Sequence, residues 1–294
     1  MNWLCRALCF VLDRGLSKAD YQELRKLVNA CGYDILPSYG SLQAVKLTCR
    51  PDDIQATSAN VVVGLQSLLN QTLSSILHDQ DVASQVKRLS EEHPHIDFQL
   101  VSKWGLDGSK GHPIPKMVSE DDAERIPGAL LSSHLVPLQL VAFCEEEAHI
   151  VFDNSACNSA SACRPIRYWF TDETKPHVEE ELERMEQEIQ SLVSFQWTPN
   201  ISISFKLYRT MCDGKISYIA NDGSAVNCPF CTAKAKDFND YKRIFEADPE
   251  ALSDLCFSIL HFGLRMCDHI FKVSFKLPIK VKLSPLCTLG YFHC

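Results

Sequence analysis

The strongest constraint in this chain is the order in which its hydrophobic periods follow one another. Residues 96–102, Ile-Asp-Phe-Gln-Leu-Val-Ser, alternate as a strand must, because successive side chains leave a pleated backbone on opposite faces. Val136 to Phe143 reads as a second strand and Arg164 to Phe170 as a third. Thr174 to Phe195 reads as a helix. Thr174 is placed to cap it, Pro176 sits near its first turn, and Glu179 to Glu181 favour its positive end. Ile201 to Met211 alternates again as a fourth strand.

The order is therefore strand, strand, strand, helix, strand. Asp107 follows the first strand and Asp213 follows the fourth. This is the organisation of a ribonuclease-H-like mixed sheet, an α/β fold in which the first and fourth strands are neighbours. Their C-terminal ends then bring two carboxylates within a few ångströms of each other.

The residues upstream are helical in period. Two short helices are expected within residues 1–48, one of them capped by Ser17, with Leu24 and Leu27 on a common face. Gly32 to Gly40, with Pro37, is a turn region. Residues 60–90 read as a further helical stretch, because Leu65, Leu68, Leu69, Leu73, Ile76 and Leu77 recur at three- and four-residue spacing. The period changes near Pro94. Gly108 to Gly128 is polar and reads as a loop, and Glu145 to Glu147 as a hairpin tip.

The chain has 294 residues, 46% of them apolar and 22% charged, which suits a globular protein with a sizeable core. Its net charge of −8 argues against a chain that coats DNA over its whole surface. The charge is unevenly spread, however. Glu173 to Phe195 holds seven acids against two bases, whereas Asn200 to Cys294 holds about twelve bases against nine acids. A local basic face is compatible with that distribution. Fourteen cysteines are many, but no export signal precedes them and no run approaches a membrane span. The expectation is a reduced, intracellular chain whose thiols are mostly small buried hydrophobes.

Asp107 and Asp213 carry the chemical argument. Phosphodiester cleavage by two divalent cations needs oxygen ligands that hold the cations either side of the reacting phosphate. Two facing aspartates supply two of the usual three acids. Each is followed by glycine, and Asp-Gly is also a common turn dipeptide, so spacing alone leaves both readings open. Trp104-Gly105 before the first Asp adds little to either. Gly105 to Gly111 lacks the spacing of a phosphate-binding loop, and there is no dinucleotide fingerprint or nucleophile elbow.

Several segments, taken in order, carry a family resemblance. Ser102-Lys103-Trp104-Gly105-Leu106-Asp107-Gly108-Ser109 and Thr210-Met211-Cys212-Asp213-Gly214-Lys215 resemble the segments that hold the first two catalytic acids of Transib-type DNA transposases, relatives of the large subunit of the V(D)J recombinase. Leu135-Val136-Pro137-Leu138 and Cys163-Arg164-Pro165-Ile166-Arg167 are similar to strand motifs of that group. Cys228-Pro229-Phe230-Cys231, followed by Lys236-Asp237-Phe238-Asn239, resembles its zinc-binding insertion, and Gly15-Leu16-Ser17-Lys18 and Pro37-Ser38-Tyr39 fit upstream. The similarity runs from about residue 9 to about residue 277.

The resemblance implies a catalytic core with Asp107 and Asp213 as ligands to Mg²⁺ or Mn²⁺, and Cys228 and Cys231 as half of a tetrahedral Zn²⁺ site. It implies double-stranded DNA at transposon ends as substrate, a nuclear location and, in the intact family, a homodimer. It also divides the chain into a helical region (1–93), the core (94–227), the zinc-type insertion with helices (228–276) and a tail (277–294).

Two features depart from the family pattern. A histidine pair normally completes the zinc site. Here His261 and His269 stand eight residues apart on Leu255 to Lys276, too far for one closed site on a straight helix. The third acid is a glutamate further downstream, whereas no Asp or Glu follows Asp268 in this sequence. The expectation is thus a transposase-derived chain that is catalytically incomplete, with a non-catalytic DNA- or protein-binding remnant as the alternative. Other charged residues read as surface: Asp121, Asp122 and Glu124 as a solvated loop, Lys103, Lys110 and Lys116 as lysines flanking the first Asp. The acids of residues 176–195 are expected on the solvent side of a helix whose Leu182, Met185, Ile189 and Leu192 cover the sheet.

Overall fold

The computed structural model describes residues 3–111, 129–144 and 147–213, together with Ile216, Ile219, Cys267, Ile270 and Phe271. The chain divides into two compact units, residues 1–256 and 257–294. In the second, Cys267, Ile270 and Phe271 are helical. The first is a mixed α/β unit.

It begins with three helices rather than two: α1 (Trp3–Asp13), α2 (Lys18–Ala30) and α3 (Tyr39–Thr48). Ser17 caps α2 reciprocally. Its side chain accepts from the Asp20 amide, and the Asp20 carboxylate accepts from the Ser17 amide. These two bonds occupy donors that a helix start leaves orphaned. Ser17→Ala should therefore cost about 1 kcal/mol, measured by urea unfolding followed by helical circular dichroism. A change no larger than that of an exposed mid-helix alanine substitution would count against the cap. The face of α2 differs from expectation. Tyr21 is fully buried, with its hydroxyl donating to the Pro37 carbonyl at 2.8 Å, whereas Leu27 is 66% exposed. The trio shares a small core of Ala7, Leu8, Val11, Tyr21 and Leu42.

Residues 60–90 are not helical throughout. The β-branched run Asn60-Val61-Val62-Val63 forms a strand, and His78 and Asp79 divide the remainder into two helices. The elements are β1 (Ile54–Ala56), β2 (Asn60–Val63), α4 (Leu65–Leu77) and α5 (Gln80–Glu92). Asp79 starts α5 by accepting from the amides of Asp81 and Val82. The leucines of α4 are buried as their spacing implied, Leu69 and Leu73 completely.

The sheet continues with β3 (Asp97–Lys110), β4 (Ala129–Cys144), β5 (Glu147–Asp153), β6 (Arg164–Trp169), β7 (Phe195–Thr198) and β8 (Ile201–Arg209), and α6 (Lys175–Gln190) lies between β6 and β7. Hydrogen bonding runs in the order β1-β2-β6-β4-β3-β8-β7, with β5 also beside β4. Every pairing is antiparallel except β3 with β8. At sixteen residues, β4 is long enough to carry β6 along its first half and β5 along its second. The strand β3 runs to Lys110, so Gly108 to Lys110 is paired to β4 and is not loop.

Burial alternates cleanly. On β3, Phe98, Leu100, Trp104 and Leu106 are at most 3% exposed, while Lys103 and Asp107 on the opposite face are more open. The buried face packs on α4 and α6 in one continuous core that includes Leu131, Leu135, Leu140, Ile166, Val178, Leu182 and Met185. Burial of each such leucine stabilises the fold by roughly 1.5–3 kcal/mol.

One strand holds a proline at its centre. Pro137 has no amide proton, and the β3–β4 register shifts beside it, between Val101 and Ser102. Asn154 repairs the irregularity. Its amide donates to the Leu138 carbonyl (2.9 Å) and its side chain to the Pro137 carbonyl (2.7 Å).

The acidic helix α6 also departs from expectation. Glu181 is only 2% exposed and lies among the apolar residues of the helix. It accepts from Ser133 Oγ at 2.6 Å, Arg167 Nη1 at 2.9 Å and Arg184 Nη2 at 2.6 Å. Arg167 in turn donates to Asn60 Oδ1 at 3.1 Å and stacks over Trp169. Arg184 also bonds Glu188, whose second oxygen accepts from the Leu65 amide at the start of α4. The network of Glu181, Arg167, Arg184 and Glu188 thus ties together β2, β4, β6, α4 and α6.

Candidate functional site

The parallel pairing of β3 and β8 decides where the two aspartates go. Trp104 is opposite Arg209 at the end of the ladder, and the chain then continues past it. The amides of Thr210 and Met211 both donate to the Trp104 carbonyl, at 3.0 and 3.1 Å. Met211 passes so close to β3 that a Cβ on Gly105 would lie 2.2 Å from its carbonyl oxygen and 2.7 Å from its Cα. No side chain fits there, so Gly105 contributes more than its sequence context suggested. It lets the segment carrying Asp213 lie on the strand carrying Asp107.

Cys212, the residue before Asp213, is 8% exposed. Burial pushes its thiol pKa up. The carboxylates of Asp213 and Asp107 raise it further, against a backbone hydrogen bond at Leu106 and the charge of Arg209, which lower it. Asp213 is half-buried, and its Oδ1 accepts from the Ile216 amide at 2.8 Å. Asp107 is exposed on β3, opposite Ser132 of β4.

The open sheet face beside Asp107 holds His134 and Tyr168, which the sequence did not single out, together with Lys103, read from the sequence as a surface lysine. His134, opposite Gly105, places Nε2 3.4 Å from the Tyr168 hydroxyl, and the two rings meet edge to face at 5.5 Å. Burial pushes the His134 pKa down while the charge of Asp107 pulls it up; the net shift is downward, which keeps the imidazole neutral at pH 7. Lys103 donates to Asn158 Oδ1 at 3.1 Å. Behind the strand, Gly108 is covered by Glu173, and a Cβ at that glycine would lie 2.4 Å from its Oε2. The only sequence signal for His134 was strand alternation, which assigns a face and not a neighbour.

As cation ligands, the two aspartates offer hard oxygen donors of the kind Mg²⁺ and Mn²⁺ prefer, and the Cys212 thiol is held protonated and buried rather than competing. Among the described residues no group of three or more His, Cys, Asp or Glu could hold a metal ion. The aspartates thus supply at most part of a coordination sphere. Cys228 and Cys231 lie outside the described residues, as do His261, His269, Lys116, Asp121, Asp122 and Glu124. No helix among the described residues is long and apolar enough to cross a membrane. No protein-family model and no curated protein matches this chain.

Proposed function

We propose that the chain is derived from a DNA transposase whose core is ribonuclease-H-like and whose intact form nicks DNA at transposon ends and transfers the freed strand. The observation that carries this reading is the parallel β3–β8 pair, flanked by β4 and β6 in the order β6-β4-β3-β8, which lays the segment leading to Asp213 against the strand that carries Asp107. That arrangement supports a two-acid cation site at the strand ends, where a DNA phosphate is reachable from the open face.

In this reading Asp107 and Asp213 would hold Mg²⁺ or Mn²⁺, and the cations supply charge neutralisation at the attacking and leaving oxygens. The protein's own contribution is placement. Asp213 is oriented by the Ile216 amide, Asp107 by its pairing within the sheet, and Gly105 admits the Met211 backbone that leads to Asp213. A neutral His134 stands beside Asp107 without adding positive charge. Cys228 and Cys231 are proposed as Zn²⁺ ligands, with double-stranded DNA as partner, a nuclear location and a homodimeric intact form.

With Asp107 and Asp213 as the two acids assigned to the cations, the polypeptide is expected to nick DNA feebly or not at all. The reading is tested by Mn²⁺ titration and by binding to duplex DNA across a salt series. Asp213→Asn keeps an oxygen for the Ile216 amide and removes the charge. It and Asp107→Asn should each weaken Mn²⁺ binding at least tenfold while leaving unfolding within about 1 kcal/mol of wild type. DNA affinity should fall steeply with added salt. Mn²⁺ binding indifferent to both substitutions would sink the cation site. Negligible, salt-independent DNA binding would sink the transposase ancestry. DNA binding without any Mn²⁺ site would favour the non-catalytic remnant instead.

A further inference from the structure

The three N-terminal helices carry a group of thiols that the proposed site does not use. Cys5 and Cys9 are one turn apart on α1. Cys49 is the residue that ends α3, the helix on which α1 packs. All three line one cleft that also includes Arg50, Gln71 and His78. Burial pushes the Cys9 thiol up, and the charges of Asp13, Cys5 and Cys49 push it further. Cys9 and Cys49 are exposed, whereas Cys5 is half-buried.

The helices around these thiols have little else to hold them. Their shared core is five residues, and Trp3, Phe10, Leu12 and Leu47 remain exposed. A unit with so small a core gains disproportionately from a covalent tie. Closing the chain between residue 9 and residue 49 restricts the unfolded ensemble of nearly the whole trio.

We propose that Cys9 and Cys49 form a reversible disulfide that ties α1 to α3. The oxidant is a low-molecular-weight disulfide of the glutathione type. The Cys9 thiolate attacks one sulfur of that disulfide, forms a mixed disulfide and expels one small thiolate. The Cys49 thiolate then attacks the Cys9 sulfur and expels the second. Two protein thiols and one small disulfide become one protein disulfide and two small thiols, with the two thiol protons ending on the released thiols. Cys5 is not part of the bond.

The test uses the full chain, equilibrated in glutathione buffers from reducing to oxidising, quenched by alkylation, digested with trypsin and read by mass spectrometry. Trypsin cuts after Arg6 and so separates Cys5 from Cys9. The expected result is a peptide joining Cys9 to Cys49, formed at a redox poise where Cys5 is still alkylated. Oxidation should raise the melting temperature of the helical signal by several degrees. In Cys49→Ser, Cys9 should instead carry glutathione. Circular dichroism unchanged from wild type verifies that this variant folds, and Cys9→Ser provides the reciprocal case. Cys9 and Cys49 both remaining alkylated under the most oxidising buffer would overturn the proposal. So would a dominant link from either to Cys5 or to any other cysteine.

Discussion

Glu181→Ala is expected to destabilise the protein by about 3–5 kcal/mol, the largest effect of any single polar substitution in the described structure. The reason is what the variant leaves behind. Arg167 is 10% exposed at its side chain and Arg184 22%, so neither can recover full hydration when the carboxylate is gone. Ser133, 1% exposed, loses its acceptor as well. Glu181→Leu should cost no less, because an apolar side chain solves none of these three problems. Urea unfolding monitored by tryptophan fluorescence checks the magnitude, and a loss under about 1 kcal/mol would show that water reaches the two guanidiniums after all.

The same residue sets a pH dependence with a definite sign. Burial alone would raise the Glu181 pKa. Hydrogen bonds and charge from Arg184, with hydrogen bonds from Ser133 and Arg167, outweigh that and hold it below the ordinary glutamate value. A carboxylate whose folded pKa is depressed contributes stability that is fully present above its unfolded value and is lost as pH falls through the folded one. The gap in stability between wild type and Glu181→Gln should therefore be widest near neutral pH and should shrink below about pH 4. A gap that stays constant from neutral pH into acid would mean that the network holds Glu181 by shape rather than by charge.

Gly105→Ala is the second large effect, at roughly 3 kcal/mol. The added methyl would overlap the Met211 backbone, and backbone cannot swing aside as a side-chain end can. Overpacking of this kind costs about 1–3 kcal/mol. Relieving it stretches the two hydrogen bonds to the Trp104 carbonyl, at about 1 kcal/mol each. The displacement also carries Asp213 away from Asp107. Gly105→Ala should therefore weaken Mn²⁺ binding at least as much as Asp213→Asn does, whereas Leu100→Ala, a core truncation remote from Met211, should destabilise by 2–5 kcal/mol and leave residual cation binding intact in the folded fraction. Equal Mn²⁺ affinity in Gly105→Ala and wild type would remove the glycine from the architecture of the site.

Much of this protein is written locally. The strand period of residues 96–102, the three- and four-residue leucine spacing of α4 and the Ser17 cap depend on near neighbours in sequence, and the structure has a strand from Asp97, a buried leucine face on α4 and the cap at Ser17. The strand at residues 60–63 was hidden by the leucine run that follows it. Three valines in a row favour a strand, but only the antiparallel partner β6 makes that preference decisive. The long β3 was equally hidden. Gly108 to Lys110 is polar enough for a loop, and pairing with Ala129 to Leu131 holds it extended.

Charge was the least legible property. A helix carrying seven acids along and just before it reads as a solvated surface, and most of its glutamates are on one. Glu181 is the exception because Arg167 and Ser133 reach it from β6 and β4, residues distant in sequence whose side chains no local pattern pairs with a helix glutamate. The sequence by itself determined the strand period that opens β3, the buried leucine face of α4, the Ser17 cap and the place of Asp213 just past β8, because those properties follow from period and nearest neighbours; Asp107, expected just past a strand, lies within β3 instead. The tertiary structure alone decided that β3 and β8 run parallel side by side, that Gly105 admits Met211, that Cys212 is buried and that Glu181 is buried. Each of these depends on contacts between segments far apart in the chain, whose free energy exists only once the sheet has closed.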